Sequence, residues 1–254
     1  MNKQNILIIL EGKNPEQGII ERINKLFGLE LHINILFGSD IYKLYRAIEE
    51  DPIKDVIALD TFELMKTSCD ITLKDHNAKV FDNYTSSDFA WIYLFFDFDP
   101  WATTTKAPLP IIKDMLKLFN NPTEQGKLYI NYPSVESFNH LTHDFQNSYY
   151  KYSKDGDSFK RVAGAYSQEK ANFSHIKDIT YKNLLNLIEQ HLKKANLICN
   201  NKFEIPDDED DISQHKLCHI QVEFYTTESK THILSSIPIF IFELKGPTIF
   251  NKLA

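Results

Sequence analysis

The segment AWIYLFFDFDP, residues 90–100, constrains the fold of this chain more than any other stretch. Seven mostly large apolar residues precede the triplet Asp97-Phe98-Asp99, and a proline ends the segment. An apolar run with aromatic and β-branched members is typical of a strand that is buried on both faces, as inside a parallel sheet. Alternate residues of a strand point the same way, so Asp97 and Asp99 should project together from its carboxyl end. Because adjacent carboxylates repel each other unless a cation lies between them, the pair predicts a divalent-metal site.

Apolar runs alternate with helical spacing through the first 140 residues. The runs that predict strands cover residues 5–10, 32–37, 90–96 and 127–132. Three segments predict helices. The first ends at Gly28, the second covers about residues 41–50 after an Asp40 cap, and the third covers about residues 110–120. This alternation predicts an α/β fold, in which a mostly parallel four-stranded sheet is flanked by helices.

The segment between residues 51 and 89 is harder to interpret. Residues 56–59 (VIAL) fit either a short strand or one turn of a buried helix, and length does not decide between them. We favour the helix.

The character of the chain changes after residue 140. Helical spacing returns over residues 180–198, and SSIPIFIFELKG predicts a short buried helix opened by Ser235 or Ser236 and closed by Gly246. The acidic run 207–211 lacks the glycine and the alternation of a calcium loop, which favours a solvated loop over a cation site. We therefore predict one domain over residues 1–140, which holds the predicted metal site, and a mainly helical cap or accessory region over residues 141–254.

Composition limits the kind of protein this can be. The formal net charge of −7 argues against broad electrostatic attraction to nucleic acid or to an anionic membrane. It does not exclude a nuclease, because a bound divalent cation and a local lysine can handle phosphate at the reacting centre. The three cysteines are odd in number and widely spaced, which favours reduced thiols in a cytoplasmic protein. No stretch approaches the ~20 apolar residues of a membrane span, so the sequence predicts a soluble protein.

Acidic side chains follow three of the predicted strands. Glu11 follows the first strand, with Glu16 about one helical turn later, and Asp97 and Asp99 end the third. Glu136 lies in the opening turn predicted after the fourth strand. Because the carboxyl ends of parallel strands share one sheet edge, these acids should converge. Several converging carboxylates are what a two-metal phosphoryl-transfer site requires.

Some members of this set have ordinary alternative explanations. A single acid after a strand, such as Glu136, is commonly a cap or half of a surface ion pair. Glu16 fits either a metal ligand or an acid that interacts with the helix dipole in the first turn. Lys13, in the loop after the first strand, could neutralise a phosphate or leaving oxygen, or could pair with a neighbouring carboxylate. The shared location of the acids is therefore the argument for a site.

The order of these motifs resembles the Toprim domain, where a glutamate-glycine loop follows the first strand and an aspartate-x-aspartate pair ends a later one. Glu11-Gly12 and Asp97-Phe98-Asp99 match these motifs. The form EGKNPE, with a second acid five residues after the first, looks more like the RloB and OLD-like branch than like topoisomerases. The runs FFDFD, GKLYINYPSVES and SSIPIFIFELKG are similar to those of Toprim subunits in bacterial phage-defence systems. The motifs cover residues 5–140, and beyond them only the amphipathic helix and the last apolar segment look familiar.

The resemblance implies phosphodiester chemistry that depends on Mg²⁺ or Mn²⁺. It implies that Glu11 is a general acid/base or a metal ligand, that Asp97 and Asp99 are metal ligands, and that Glu16 and Glu136 serve a second metal. The chain has no GxxxxGK[ST] motif, so any ABC-type or SMC-like ATPase would be a separate subunit.

The sequence and the resemblance together lead to two alternative predictions of function, which belong to different classes. The first is a cytoplasmic Toprim-fold nuclease, an effector of bacterial anti-phage defence that activates water between two metal ions. The second is a catalytically silent sensor or binding subunit that regulates an ATPase partner. The sequence leaves open whether the target is DNA or RNA, tRNA included, and whether the protein forms a homo-oligomer.

Overall fold

The computed structural model describes residues 5–29, 31–38, 40–51, 59–69, 74–102, 105–153, 158–163 and 175–253. The chain divides into two compact units, residues 1–129 and residues 130–254. The boundary that the sequence predicts at residue 140 falls inside the second unit.

The first unit is built around a five-stranded mixed sheet with the strand order β2-β1-β3-β5-β4. The central strand β1 pairs in parallel with both β2 and β3. The ring of Tyr129 on β5 stacks on that of Phe95 at 5.1 Å, and Gly126 lies against Ile92, so β5 runs in the same direction as β3. The strands are β1 (Asn5–Leu10), β2 (His32–Phe37), β3 (Trp91–Asp97), β4 (Asn120–Asn121) and β5 (Gly126–Asn131).

The four predicted strands and their mostly parallel arrangement are confirmed, and the count of four is corrected to five. The additional strand β4 has two residues and pairs antiparallel with β5. Two residues are too few to give a recognisable alternation of apolar and polar side chains, which is why the sequence did not reveal this strand.

Buried apolar side chains explain why β1 and β3 lie at the centre of the sheet. Residues 6–10 of β1 are 0–1% exposed, and residues 92–96 of β3 are also buried. A strand covered on both faces needs apolar side chains at every position, which is the pattern that both segments show.

Five α-helices are described in the first unit. The helix α1 ends at Gly28, whose φ of 54° is the left-handed conformation expected of a glycine that terminates a helix. The helix α2 begins after Asp40, whose carboxylate accepts the Lys43 N–H at 2.9 Å, as predicted. The helices are α1 (Glu16–Phe27), α2 (Ile41–Glu50), α3 (Thr61–Ser68), α4 (Lys74–Asn83) and α5 (Pro108–Leu118). The prediction for residues 56–59 concerns a segment outside the described residues.

The second unit is mainly helical, as predicted. Its longer described α-helices are α6 (Tyr181–Asn200), α7 (Gln214–Glu228) and α8 (Ile237–Lys245), the last followed by Gly246 as the sequence indicated. The segment after residue 133 forms the short 3-10 helix Val135–Asn139. Most of the acidic run 207–211 is exposed to solvent, and part of it forms the 3-10 helix Glu209–Ile212. The unit also contains an unpredicted antiparallel ribbon of β6 (Tyr149–Lys151) and β7 (Lys230–His232).

Within the part of the chain that the structure describes, no helix combines the length and the apolar character needed to cross a membrane.

Candidate functional site

The register of the first sheet brings the ends of three strands to the same level. Leu10 at the end of β1 pairs with Phe37 on one side and with Phe95 on the other. The chain therefore leaves the sheet at this carboxyl edge after Leu10 and after Phe37, and β3 ends two residues beyond Phe95, at Asp97. This is the edge where open α/β sheets bind their ligands.

Glu11 is linked directly to the end of β3. Its backbone N–H donates to the carbonyl oxygen of Phe95 at 3.2 Å, which continues the parallel ladder by one residue. Its carboxylate atom Oε2 accepts the backbone N–H of Asp97 at 2.9 Å. The first acidic motif and the aspartate pair, which are remote in sequence, thus meet at one point.

The aspartate pair is presented outward by alternating burial. Phe98 is 2% exposed and Pro100 is buried, whereas Asp99 and Trp101 are exposed and Asp97 is partly exposed. Two apolar anchors therefore hold the segment against the core while Asp99 between them faces solvent. The backbone N–H of Trp101 donates to Oδ1 of Asp99 at 3.1 Å, which orients that carboxylate.

A tyrosine from α2 fixes the other side of this turn. The side chain of Tyr42 is 1% exposed, and its hydroxyl donates to the carbonyl oxygen of Asp99. The pKa of Tyr42 is raised by burial and, further, by the negative charges of Asp99, Asp40 and Glu11. The hydroxyl therefore lies within electrostatic reach of three acids from three different strand ends.

Asp99 is affected by the same surroundings. Burial and the charge of Asp40 raise its pKa, and the hydrogen bond from the Trp101 N–H opposes them without cancelling them. A carboxylate whose ionised form is disfavoured by a neighbouring acid gains when a cation neutralises that charge.

Asp40 is the acid that sequence reasoning missed as a site residue. Its position before α2 predicted only a helix cap, and it does cap that helix. The available signal was its location just after β2, which ends beside β1 at the same edge. A residue can cap a helix and face a ligand site at the same time, because helix N-termini lie at this edge.

Lys13 lies in the loop that follows β1, and Glu16 begins the helix α1 just after this loop. Glu16 is 6% exposed, and its Oε1 atom lies 3.5 Å from the position that a Cβ on Gly12 would occupy. Its carboxylate therefore folds back over the Glu11-Gly12 loop. The side chain of Lys13 is exposed, and its carbonyl accepts the N–H of Gln17 at 3.3 Å as α1 begins.

Glu136 belongs to the second compact unit. Its carboxylate accepts the hydroxyl of Ser134 at 2.5 Å and lies 3.7 Å from the Nζ atom of Lys160. These contacts match the ordinary alternative, a first-turn acid in a surface ion pair. Its convergence with Glu11 and Asp97 stays a prediction.

The donor set suits a hard cation in its chemistry, because carboxylate oxygens are the ligands that Mg²⁺ and Mn²⁺ prefer. The positions of these side chains do not yet form a complete metal site. Among the described residues, no three or more His, Cys, Asp or Glu side chains are grouped so that they could hold a metal ion. Oε2 of Glu11 accepts the Asp97 N–H, so this atom would have to exchange or share that hydrogen bond to become a ligand.

Comparison of the chain with protein-family models, with curated proteins and with solved structures gives no match. The Toprim resemblance therefore depends on the motifs quoted above.

Proposed function

We propose that the protein is a divalent-metal-dependent nuclease of the Toprim type that hydrolyses phosphodiester bonds in DNA or RNA. The observation that carries the proposal is the meeting of acids from three strand ends around Tyr42 and the Asp97–Glu11 hydrogen bond. A role as an effector in bacterial anti-phage defence is part of the proposal and rests on the motif resemblance alone.

The proposal assigns a role to each acid. Glu11, Asp97 and Asp99 hold Mg²⁺ or Mn²⁺, and Asp40 adds negative charge beside them. Glu16 is the proposed ligand of a second ion, and the same role for Glu136 stays a prediction from the sequence. When bound, the cations supply Lewis acidity toward the phosphoryl oxygen and the attacking water.

Lys13 has a separate proposed role. Its exposed side chain in the loop after β1 can approach a phosphate from solvent, where a lysine acts as a mobile positive charge. It neutralises charge on the phosphate or on the leaving oxygen.

Electrostatics make the proposed activity strictly dependent on a cation. The acids that raise the pKa of Tyr42 and Asp99 would also repel a phosphodiester. A divalent ion reverses the sign of the local charge, so substrate binding and cleavage should both disappear in a chelator.

The test is cleavage of plasmid DNA, single-stranded DNA and tRNA by the purified protein with Mn²⁺. Glu11→Gln and Asp97→Asn should abolish cleavage while the fold is retained. The matched controls are Glu124→Gln and Asp114→Asn, which make the same charge changes at exposed positions. Wild-type rates in the two site variants would overturn the proposal.

A second candidate function is a binding or sensor subunit that regulates a separate ATPase. The net charge of −7 and the presence of only three arginines favour it, because bidentate phosphate contacts would be few. The cleavage assay distinguishes the two functions. Cleavage by the protein, alone or with a partner, supports the nuclease, whereas the absence of product under every condition supports the regulatory subunit.

A further inference from the structure

The side chain of Trp101, directly after the acidic pair, is partly exposed to solvent. The residue is 43% exposed, although tryptophan buries more apolar surface than most side chains when it is placed in a core. Isolated exposed apolar residues are common, so exposure alone carries no conclusion. The position of this ring relative to the acids is what matters.

Alternating burial leaves Trp101 exposed within two residues of Asp99. Phe98 and Pro100 are buried, whereas Asp99 and Trp101 are exposed and Asp97 is partly exposed. Two residues of chain span at most about 7 Å, so the indole begins close to the Asp99 carboxylate.

Hydrogen bonds hold this short segment in place. Tyr42 donates to the carbonyl oxygen of Asp99 from the core side, and the Trp101 N–H donates to Oδ1 of Asp99 at 3.1 Å. The backbone that carries the indole is therefore fixed relative to the acids, which is the requirement for a positioning group.

Stacking on an aromatic ring is a contact that an acidic site can offer to nucleic acid. The nearby carboxylates repel phosphates, whereas the π-face of a base is uncharged and stacks on tryptophan without sequence preference. In a duplex the base faces are already stacked on one another, so only a single-stranded or extruded base can reach the ring.

We propose that Trp101 is a stacking subsite for an unpaired base next to the phosphate held at the acids, so that the substrate class is nucleic acid that presents a single-stranded or extruded base. This inference rests on the proposed function for the location of the phosphate. The ring positions the substrate and takes no part in bond cleavage.

Fluorescence tests the subsite directly, because the chain has only two tryptophans. Trp91 begins β3 at the opposite end of the strand and is partly buried, so Trp91→Phe leaves Trp101 as the sole reporter. The probes are a ten-residue oligothymidylate and a ten-residue abasic strand with the same phosphates, each titrated with Ca²⁺ or Mg²⁺ present. The reciprocal variant Trp101→Phe leaves only the Trp91 reporter.

The oligothymidylate should quench Trp101 and leave Trp91 unchanged, and the abasic strand should quench neither. Trp101→Ala should weaken oligothymidylate binding about tenfold, the loss typical of one stacked base, while Trp101→Phe should retain most of the affinity. Equal quenching by the abasic strand, no quenching at all, or an unchanged affinity in Trp101→Ala would each overturn the inference.

The outcomes separate this inference from the proposed function. Base-dependent quenching without cleavage under any condition would leave a nucleic-acid binding site and remove the nuclease. Cleavage by the wild type with no quenching would keep the nuclease and remove the stacking subsite.

Discussion

The backbone N–H of Asp97 donates a hydrogen bond of 2.9 Å to Oε2 of Glu11 and so joins the ends of β3 and β1. A carboxylate that accepts a backbone N–H is both oriented and stabilised in its ionised form. The same contact that aligns Glu11 with the aspartate pair therefore contributes to the stability of the first unit.

Glu11 variants should separate this structural role from the proposed catalytic role. Glu11→Ala removes the acceptor and should lower the free energy of unfolding by about 1.5–3 kcal/mol, the range for hydrogen bonds to charged groups. Glu11→Gln keeps an acceptor oxygen and should cost less than half as much, yet it should lose cation binding as fully as the alanine variant. Urea unfolding and calorimetric titration with Mn²⁺ measure the two quantities, and equal stability in both variants would contradict the hydrogen-bond role.

Asp99→Asn should stabilise the apo protein near neutral pH. The folded pKa of Asp99 is raised by burial and by Asp40, so its ionised form disfavours folding once the pH exceeds the ordinary value near 3.9. The gain should stay within about 1 kcal/mol because Asp99 loses only part of its hydration, and the solvent that still reaches the carboxylate screens its charge. This gain in stability should vanish as the pH falls toward about 3, where the Asp99 carboxyl of the wild type is protonated and as neutral as the Asn side chain of the variant.

Mn²⁺ supplies the second half of the Asp99 test. It should raise the unfolding temperature of the wild type more than that of Asp99→Asn, because the variant has one carboxylate fewer to bind the ion. If Asp99→Asn is less stable than the wild type at neutral pH, or if Mn²⁺ stabilises it as much as the wild type, the assignment of Asp99 as a metal ligand with a raised pKa is contradicted.

Tyr42→Phe should loosen the turn that carries Asp99. The buried hydroxyl donates to the Asp99 carbonyl, and its loss should cost about 1 kcal/mol of unfolding free energy. The control is Tyr45→Phe on the same helix, where the side chain is only partly buried and the change should stay within about 0.5 kcal/mol. If the proposed activity is present, Tyr42→Phe should lower its kcat, and equal effects of the two variants would refute this positioning role.

The second unit should lose stability in mild acid because it buries neutral histidines. Burial, assisted by the positive charge of Lys194, lowers the pKa of His140 to about 4 and that of His232 to about 4. Burial lowers the pKa of His191 to about 3, and its Nδ1 atom accepts the Ser235 N–H. A folded pKa below the ordinary 6.5 means that this stability is fully present above pH 6.5 and is lost as the pH falls toward these values.

Urea unfolding at about pH 7.5 and about pH 5 tests this dependence. The exposed residue His219 provides a control. His191→Gln should flatten the decline, and His219→Gln should leave it as in the wild type. A decline that is identical in all three proteins would show that other groups are responsible.

Local patterns were sufficient to predict the elements that frame the site. The buried runs of β1 and β3 and the end of α1 at Gly28 follow from residues adjacent in sequence, because burial on both faces and a left-handed helix end each have a local signature. The Glu11–Asp97 contact was predicted in outline, since parallel strands place their carboxyl ends together.

Contacts between distant residues could not be predicted in the same way. The hydrogen bond from Tyr42 to Asp99 depends on where α2 packs, and nothing in the spacing of either residue indicates it. Asp40 was interpreted only as a cap because that local explanation was sufficient. Glu136 was grouped with the other acids on strand order alone, whereas its described contacts are with Ser134 and Lys160.

Anomalous scattering from a crystal grown with Mn²⁺ would show whether a cation binds between these acids. We expect a Mn²⁺ peak within about 2.5 Å of carboxylate oxygens of Glu11 and of Asp97 or Asp99, and no such peak in crystals of Asp97→Asn. A crystal saturated with Mn²⁺ that shows no peak at this edge of the sheet, or an unchanged peak in the variant, would contradict this expectation.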